Sequence, residues 1–194
     1  MAVELVKRGS RVDLTKGSNL VRVNVALGWD TNKYQGGHDF DLDVVAFLAK
    51  GDGKVLEDRD FVFYNNLVHY SGAVEHSGDE RTGAAEGDDE TIKVDFSKVP
   101  AHVEKIAVCV TIHDAHARVQ NFGMVSNAYL RIDNADTNEQ LIRFDLGEDF
   151  AIETAVVAGE LYKHNGDWKF NAIGAGYGNG LEGLVRDYGL DVAR

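Results

Sequence analysis

Hydrophobic and polar residues alternate along the chain up to about residue 160, and clusters of glycine, asparagine and aspartate separate the alternating stretches. Residues 20–27 show the pattern clearly, because valine occupies every second position from Val21 to Val25. Since successive side chains of a strand point to opposite faces, a period of two predicts β-strands. Short strands separated by turn residues are typical of an antiparallel β fold rather than of βαβ units.

Several segments share this alternating or continuously apolar pattern, and turn residues bound each of them. We predict strands at residues 20–27, 41–48, 60–64, 73–75, 91–96, 105–112, 128–132, 140–145, 153–161 and 167–173. The second of these is apolar on both faces after Asp43, which fits a central strand of a sandwich that enters the core from a charged end. Residues 113–124 are predicted to form a short helix or loop.

The end of the chain has a different period. Apolar residues recur at helical spacing between Leu181 and Tyr188, and Gly189 follows where a C-terminal cap belongs. The sequence therefore predicts a mainly β protein, an antiparallel two-sheet β-sandwich with a short C-terminal helix. The length suffices for one hydrophobic core, so a single domain is expected over residues 1–194.

Three carboxylates occupy alternate positions where the second predicted strand begins. Asp39, Asp41 and Asp43 would share one face of an extended strand, and the apolar residues between them would share the other. Like charges repel, and taking a carboxylate out of water without a partner is costly. A solvated acidic edge strand is the alternative, but the interior character of residues 44–48 favours a divalent cation.

This acidic stretch is not an EF-hand loop. Counted from Asp39 as the first loop position, the required Gly and Glu would fall where Val44 and Lys50 stand. Two-residue steps along a strand are about 6.6 Å, so Asp39 and Asp43 would be about 13 Å apart, too far for one calcium ion. Either Asp39 turns back with the loop before it, or two neighbouring ions share Asp41, and the spacing favours two ions.

A second acidic segment and an asparagine pair could contribute further ligands. Residues 76–90 are predicted to form a loop, in which a single arginine is outnumbered by Asp79, Glu80, Glu86, Asp88, Asp89 and Glu90. Acidic loops of this kind are often only solvated. Asn65 and Asn66 end a predicted strand and could supply amide oxygens, although such a pair usually forms a turn.

Composition excludes several classes of function. The net charge is −12 and the pI is near 4.9, so nucleic acid is repelled, and so is an anionic lipid surface unless a cation bridges the two. The single cysteine, Cys109, lies in an apolar run, which excludes dithiol chemistry within the chain. Neither a signal-peptide pattern nor an apolar run of about 18 residues occurs. We expect a cytoplasmic protein with no nucleic-acid partner and no direct membrane insertion.

Motifs that would indicate an enzyme are weak. Residues 178–183 match GxGxxG, but too few residues follow Gly183 to complete a dinucleotide-binding unit. His113, Asp114 and His116 could ligate a transition metal, yet no further His or Cys cluster supports them. No nucleophile motif places Ser, His and Asp together. We therefore expect no catalytic residues.

Seven short motifs between residues 5 and 190 carry a resemblance to a known family. They are Gly28-Trp29-Asp30, Asp39-Phe40-Asp41-Leu42-Asp43, Phe61-Val62-Phe63-Tyr64-Asn65-Asn66, Gly78-Asp79 with Arg81-Thr82-Gly83, Gly87-Asp88-Asp89-Glu90, Gly159-Glu160-Leu161-Tyr162 and Trp168-Lys169-Phe170. On these motifs the chain resembles the TerD-type proteins of the bacterial tellurite resistance and stress response system.

The resemblance implies a β-sandwich that binds calcium at loops on one side, in a family associated with resistance to tellurite, some phages and pore-forming colicins. The ligands that it implies are Asp39, Asp41, Asp43, Asn65, Asn66, Asp79, Asp88, Asp89 and Glu90. Other tellurite resistance proteins are the expected partners, at the cytoplasmic face of a membrane complex. Our hypothesis is a non-catalytic interaction or sensor module with two calcium ions. The alternatives are an enzyme acting on tellurite and a protein that binds a small ligand such as a cyclic nucleotide.

Overall fold

Two six-stranded β-sheets form the protein in the computed structural model, which describes residues 4–30, 40–78, 90–146 and 150–191. The strands, numbered β1 to β12 in chain order, are Glu4–Leu5, Arg11–Asp13, Arg22–Asp30, Leu42–Ala49, Phe61–Val62, Val74–His76, Glu90–Asp95, Lys105–Ile112, Ser126–Asn134, Gln140–Asp145, Ala155–His164 and Asp167–Tyr177. Apart from β1 and β2, each of them coincides with a predicted strand; β8 and β10 have the predicted bounds, and the other strands have shifted ends.

The strand order makes this an antiparallel sandwich. Sheet A has the order β1-β10-β9-β3-β7-β6, and sheet B has the order β2-β12-β11-β8-β4-β5. Neighbouring strands are antiparallel except for β1 and β10, which are parallel. The predicted two-sheet architecture is confirmed. The sequence did not predict β1 and β2, which are short edge strands of different sheets.

The main hydrophobic core lies between the two sheets, because alternate residues of each strand turn inward. Val23, Val25 and Leu27 of β3 are fully buried there. Strand β4 is buried along its whole length, since even-numbered residues such as Val44 join the main core while Phe47 and its odd-numbered neighbours face the other side of sheet B. The prediction of a central strand buried on both faces is confirmed.

A second, smaller core covers the outer face of sheet B. Helix α2, Gly180–Asp187, buries Leu184 completely against this face. Tyr188 follows the helix and stacks on Phe47 with a centroid separation of 4.2 Å. Gly189 has a φ of 86°, the left-handed conformation that a C-terminal cap requires. The predicted helix and its cap are confirmed, and the GxGxxG motif spans the two-residue turn after β12 and the first residues of α2.

The connection between β8 and β9 contains a one-turn helix, α1 (Ala115–Arg118), and a 3-10 turn at Phe122–Met124. This agrees with the predicted short helix or loop. The connection packs closely on the loop before β11. A Cβ atom added at Gly123 would lie only 2.5 Å from the carbonyl oxygen of Ala151. Only glycine fits at that position. No helix in the described ranges is long and apolar enough to cross a membrane.

Strand β5 is shorter than the predicted strand at residues 60–64. A 3-10 turn at Asp58–Asp60 precedes it, and the Asp60 carboxylate accepts the backbone N–H groups of the two residues before that turn, Leu56 and Glu57. After the strand, Phe63 and Asn66 exchange backbone hydrogen bonds of 2.8 and 3.2 Å in a tight turn. Because local hydrogen bonds take up the backbone on both sides, only two residues remain to pair with β4.

Candidate metal site at the start of strand β4

Two of the predicted ligands lie where the chain enters strand β4. Asp43 is the second residue of the strand, opposite Thr111 of β8, and Asp41 immediately precedes the strand. Asp41 is 6 % exposed and Asp43 is 5 % exposed. Since Asp43 alternates with Val44 of the main core, its side chain projects from the outer face of sheet B. Two carboxylates are thus largely removed from water at one point.

An arginine and a histidine of the β8–β9 connection approach these carboxylates. Arg118 Nη1 lies 3.8 Å from Asp41 Oδ2, and His113 Nδ1 lies 4.0 Å from Asp43 Oδ2. Both distances are longer than a direct hydrogen bond, and the guanidinium of Arg118 attracts the Asp41 carboxylate by charge. The backbone N–H of His113 donates to the Asp41 carbonyl at 2.8 Å, which fixes the connection against the start of β4.

Two left-handed residues frame helix α1 in this connection. Asp114 precedes it with a φ of 50°, and Val119 follows it with a φ of 54°. Aspartate tolerates this conformation, whereas for a β-branched residue it is a true outlier and costs about 1–2 kcal/mol. The N–H of Gln120 donates to the Ala115 carbonyl at 2.8 Å and closes the turn. The segment that carries Arg118 is therefore a strained, tightly closed turn.

Glu90, another predicted ligand, contacts β4 from the side of sheet A. It is 1 % exposed, and its Oε2 accepts the backbone N–H of Val44 at 2.7 Å. Nε2 of His76 lies 2.9 Å from the Val44 carbonyl oxygen and 3.4 Å from Glu90 Oε2. Strand β5 pairs only with residues further along β4. The two side chains therefore satisfy backbone groups of β4 that its edge neighbour does not reach.

His76 binds a proton more readily than an ordinary histidine. Burial alone lowers its pKa, but the hydrogen bond and charge of Glu90, the Val44 carbonyl and the charge of Asp43 together raise the pKa above its usual 6.5. The N–H of Gly78 donates to His76 Nδ1 at 3.0 Å, which assigns the ring proton of the neutral form to Nε2. The His76–Glu90 pair joins the two sheets at the acidic end of the sandwich.

The predicted asparagine pair lies in the tight turn after β5. The amide nitrogen of Asn66 donates to the Phe61 carbonyl at 2.6 Å, and Asn65 is exposed. The neighbouring ring of Tyr64 meets the His113 ring edge-on, with centroids 6.5 Å apart. The turn therefore stands beside the acidic start of β4, with the Asn66 side chain engaged in holding the turn itself.

Four of the predicted ligands lie outside the described residues, namely Asp39, Asp79, Asp88 and Asp89. Among the residues that the structure describes, no group of three or more His, Cys, Asp or Glu side chains forms a complete metal-binding cluster. What the structure does bring together is Asp41 and Asp43, flanked by the asparagine turn and by Glu90. These donors are oxygen atoms, which fits a hard cation such as calcium. The described residues thus form one side of a possible ion site.

Sequence reasoning missed two residues of this region. His76 lies two positions after Val74, so the period of two along β6 was the available signal that its side chain points inward. Arg118 approaches Asp41 only because the chain turns back after β8, and no local pattern of the sequence predicts that contact. Of the suspected metal-binding group, His113 lies beside Asp43 while His116 is exposed.

A Ser–His–Asp network lies nearer the other end of β4, although no sequence motif predicts it. Ser71 Oγ is 2.8 Å from His69 Nδ1, and His69 Nε2 is 3.0 Å from Asp60 Oδ1. The side chains of His69 and Asp60 are fully buried, and Ser71 Oγ also accepts the N–H of Ala73. These bonds close a turn around a buried carboxylate, which is a structural role.

The fold and the site define a class of protein, a two-sheet β-sandwich whose acidic residues converge at one end while a C-terminal helix covers one outer face. The chain belongs to the TerD family, because the model of the TerD domain matches residues 1–188. The resemblance found in the sequence motifs is confirmed.

Similar proteins agree with this assignment. The chain is 60% identical to general stress protein 16U of Bacillus subtilis (strain 168) over 193 residues, covering 99% of this chain and 100% of that protein. It is 49% identical to tellurium resistance protein TerD of Serratia marcescens over 194 residues, covering 100% of both. The crystal structure of a homologue of telluride resistance protein (TerD) from Streptomyces coelicolor A3(2) has the same fold, with a TM-score of 0.70 and 23% identity, covering 86% of this chain and 95% of that one.

Proposed function

We propose that this protein is a calcium-binding, non-catalytic interaction or sensor module of the bacterial tellurite resistance and chemical stress response. The observation that carries the proposal is the burial of Asp41 and Asp43 at the start of a strand that is otherwise apolar. Membership of a family of stress and tellurium resistance proteins supports the biological setting.

Two buried carboxylates at one point favour the binding of a divalent cation. Moving a carboxylate out of water costs several kcal/mol unless an opposite charge or hydrogen-bond donors offset the loss. Among the groups that approach these carboxylates, Arg118 lies 3.8 Å from Asp41 and His113 lies 4.0 Å from Asp43. A divalent ion held directly by both carboxylates would offset both charges at once.

The donor types favour calcium over a transition metal. Asp41, Asp43 and the asparagine turn offer oxygen atoms, which calcium binds in sets of six to eight. The sole thiol, Cys109, is buried under helix α2, and His113 is a single imidazole beside the carboxylates. Softer metals would require more nitrogen and sulfur ligands. In our proposal two calcium ions share Asp41, and the acidic segment before Glu90 supplies the remaining ligands.

The state of the Cys109 thiol favours a binding role over an enzymatic action on tellurite. Reduction of tellurite needs a source of electrons, and Cys109 is the one thiol in the sequence. Burial raises the pKa of Cys109 well above its ordinary value, despite a hydrogen bond with Tyr188 that lowers it. A buried thiol that stays protonated is a poor nucleophile and a poor reductant.

We further propose that the protein acts in the cytoplasm together with other tellurite resistance proteins, at the face of a membrane complex. The full-length similarity to tellurium resistance protein TerD of Serratia marcescens supports the tellurite resistance setting of this proposal. The net charge of −12 argues against nucleic acid as the partner.

Calorimetric titration with calcium tests the proposed site. We expect the Asp41→Ala protein to lose more calcium affinity than Asp39→Ala, by tenfold or more, because Asp41 would serve both ions. Asp52→Ala is the matched control, since it removes one carboxylate from the exposed turn after β4, where Asp52 pairs with Lys50. An equal loss in the Asp41 and Asp39 variants would contradict the sharing of Asp41. The absence of any calcium binding by the unaltered protein would refute the function.

A further inference from the structure

Large aliphatic side chains are exposed on two loops at the acidic end of the sandwich. Val119, at the end of helix α1, is 80% exposed, and Ile152, in the loop before β11, is 77% exposed. Met124 of the β8–β9 connection is also exposed. Exposed apolar residues scattered singly are ordinary, but a group on neighbouring loops indicates an interaction site.

Contacts between the loops show that they belong to one surface. The N–H of Phe122 donates to the Glu153 carbonyl at 2.9 Å, and Gly123 packs directly on Ala151. Arg118, the residue before Val119, reaches to within 3.8 Å of the Asp41 carboxylate. The apolar tips therefore stand beside the proposed calcium site and not on a remote face.

The backbone holds both tips outward. Val119 is a β-branched residue in the left-handed conformation, and its exposed side chain gains little packing within the chain in return for that strain. Ile152 is fixed differently, since the Glu153 carboxylate accepts the N–H groups of Ala151 and Ile152 at 2.8 and 2.9 Å. Val119 therefore carries backbone strain while its side chain is available for contact with a partner outside the chain.

We propose that this end of the sandwich docks peripherally on an anionic phospholipid surface, with Val119 and Ile152 entering the headgroup region and calcium at the acidic start of β4 bridging the protein to lipid phosphates. The inference rests on the calcium binding of the proposed function. It adds the surface that meets the membrane and the residues that make the contact.

The small size of the surface favours a lipid over a protein partner, and the charge of the chain makes lipid binding depend on calcium. With a net charge of −12, the chain is repelled by anionic lipid until a cation intervenes, so binding requires calcium and anionic headgroups together. A protein interface buries about 800 Å² on each partner, far more than a few aliphatic tips on two loops offer. The burial of so few apolar groups gives only marginal membrane affinity by itself, which makes the second, electrostatic signal necessary.

Co-sedimentation with lipid vesicles tests this inference. We expect the protein to sediment with vesicles of phosphatidylcholine and phosphatidylglycerol when calcium is present, and to remain in solution with chelator or with phosphatidylcholine alone. Val119→Asn and Ile152→Gln should each weaken vesicle binding by about tenfold, the effect of withholding one aliphatic side chain from the lipid. Leu5→Gln is the matched control, because Leu5 is 73% exposed on β1 at the edge of sheet A, and this variant should bind as the unaltered protein does.

The Val119 variant separates docking from folding. Asparagine tolerates the left-handed conformation better than valine, so Val119→Asn should melt at the same or a higher temperature while it loses vesicle binding. Vesicle binding that survives both tip substitutions would overturn the proposal. So would calcium-induced sedimentation in the absence of vesicles, which would indicate a second copy as the occupant.

Calcium calorimetry on the same samples separates the two proposals. If the protein binds calcium but does not bind vesicles, the docking proposal is wrong and the calcium-site proposal stands. If calcium does not bind, both proposals fail, because the bridge to the lipid requires the ion.

Discussion

The sequence alone does not distinguish whether the Glu90 carboxylate binds a metal ion or makes a structural contact. In the fold its carboxylate accepts the N–H of Val44 and pairs with His76, and all three groups are buried. A carboxylate with these contacts holds strand β4 to sheet A whether or not an ion is bound. At Asp41 and Asp43, Arg118 and His113 lie further away, at 3.8 and 4.0 Å.

Removal of the Glu90 carboxylate should therefore destabilise the protein even without calcium. Glu90→Ala leaves the Val44 N–H and the His76 ring buried without this partner, and we expect a loss of about 3 kcal/mol in the free energy of unfolding. Urea denaturation in the presence of chelator measures it. Glu75→Ala, on the exposed side of the same β-hairpin, should change stability by less than about 0.5 kcal/mol. A loss at Glu90 that appears only when calcium is added would mean that Glu90 is chiefly a ligand.

At the residue scale, the sequence predicted the polar side chains that sit in a repeating pattern. The alternation of Asp41 and Asp43 with apolar residues correctly indicated carboxylates at the start of an interior strand. It did not predict Arg118 or the partnership of His76 with Glu90, because these contacts join segments far apart in the chain. Periodicity specifies the face to which a side chain points, whereas its neighbours depend on how the sheets stack.

In the loop before β11, the ionised carboxylate of Glu153 holds the backbone by accepting the N–H groups of Ala151 and Ile152. Backbone N–H groups of Ala151, of Glu153 itself and of Ile152 lower the pKa of the Glu153 carboxyl below its usual 4.5. A lowered pKa in the folded state contributes stability that is present above pH 4.5 and is lost as the pH falls through the lowered value.

Glu153→Gln should accordingly reduce stability at pH 7 by up to about 1 kcal/mol, since the amide is a weaker acceptor than the carboxylate. The difference between the two proteins should narrow as the pH falls below 4.5, because the unaltered side chain then loses its charge. Parallel denaturant titrations at several pH values provide the measurement. A difference that is constant with pH would show that the ionised carboxylate does not organise this loop.

Among the elements, long strands with a clear period were predictable and short ones were not. β4, β8 and the β11–β12 hairpin follow from apolar runs between turn residues. β5 was predicted too long because the Asp60 and Asn66 hydrogen bonds curl the chain at its two ends. β1 and β2 are too short to show a period, and they form only because sheet edges are available to pair with them.

For the whole molecule, the two-sheet architecture and the closing helix followed from the sequence, whereas the order of strands within each sheet did not. Sheet B brings β4 between β8 and β5 and so places both faces of the strand in hydrophobic surroundings, one of them under helix α2. The same arrangement delivers Asp41 and Asp43 to the end where the β8–β9 connection and the asparagine turn meet. Calcium at that end would contact several segments of the folded chain together, whereas in the unfolded chain these segments lie apart and would bind it weakly.

The most direct test of the central claim is the melting temperature of the purified protein with calcium and with chelator. An ion at about a hundredfold excess over its dissociation constant stabilises the folded state by about 2.7 kcal/mol, which for a domain of this size raises the melting temperature by about 5–10 °C. The account predicts this rise for the unaltered protein and its loss in Asp41→Ala. The same melting temperature with saturating calcium and with chelator would contradict it.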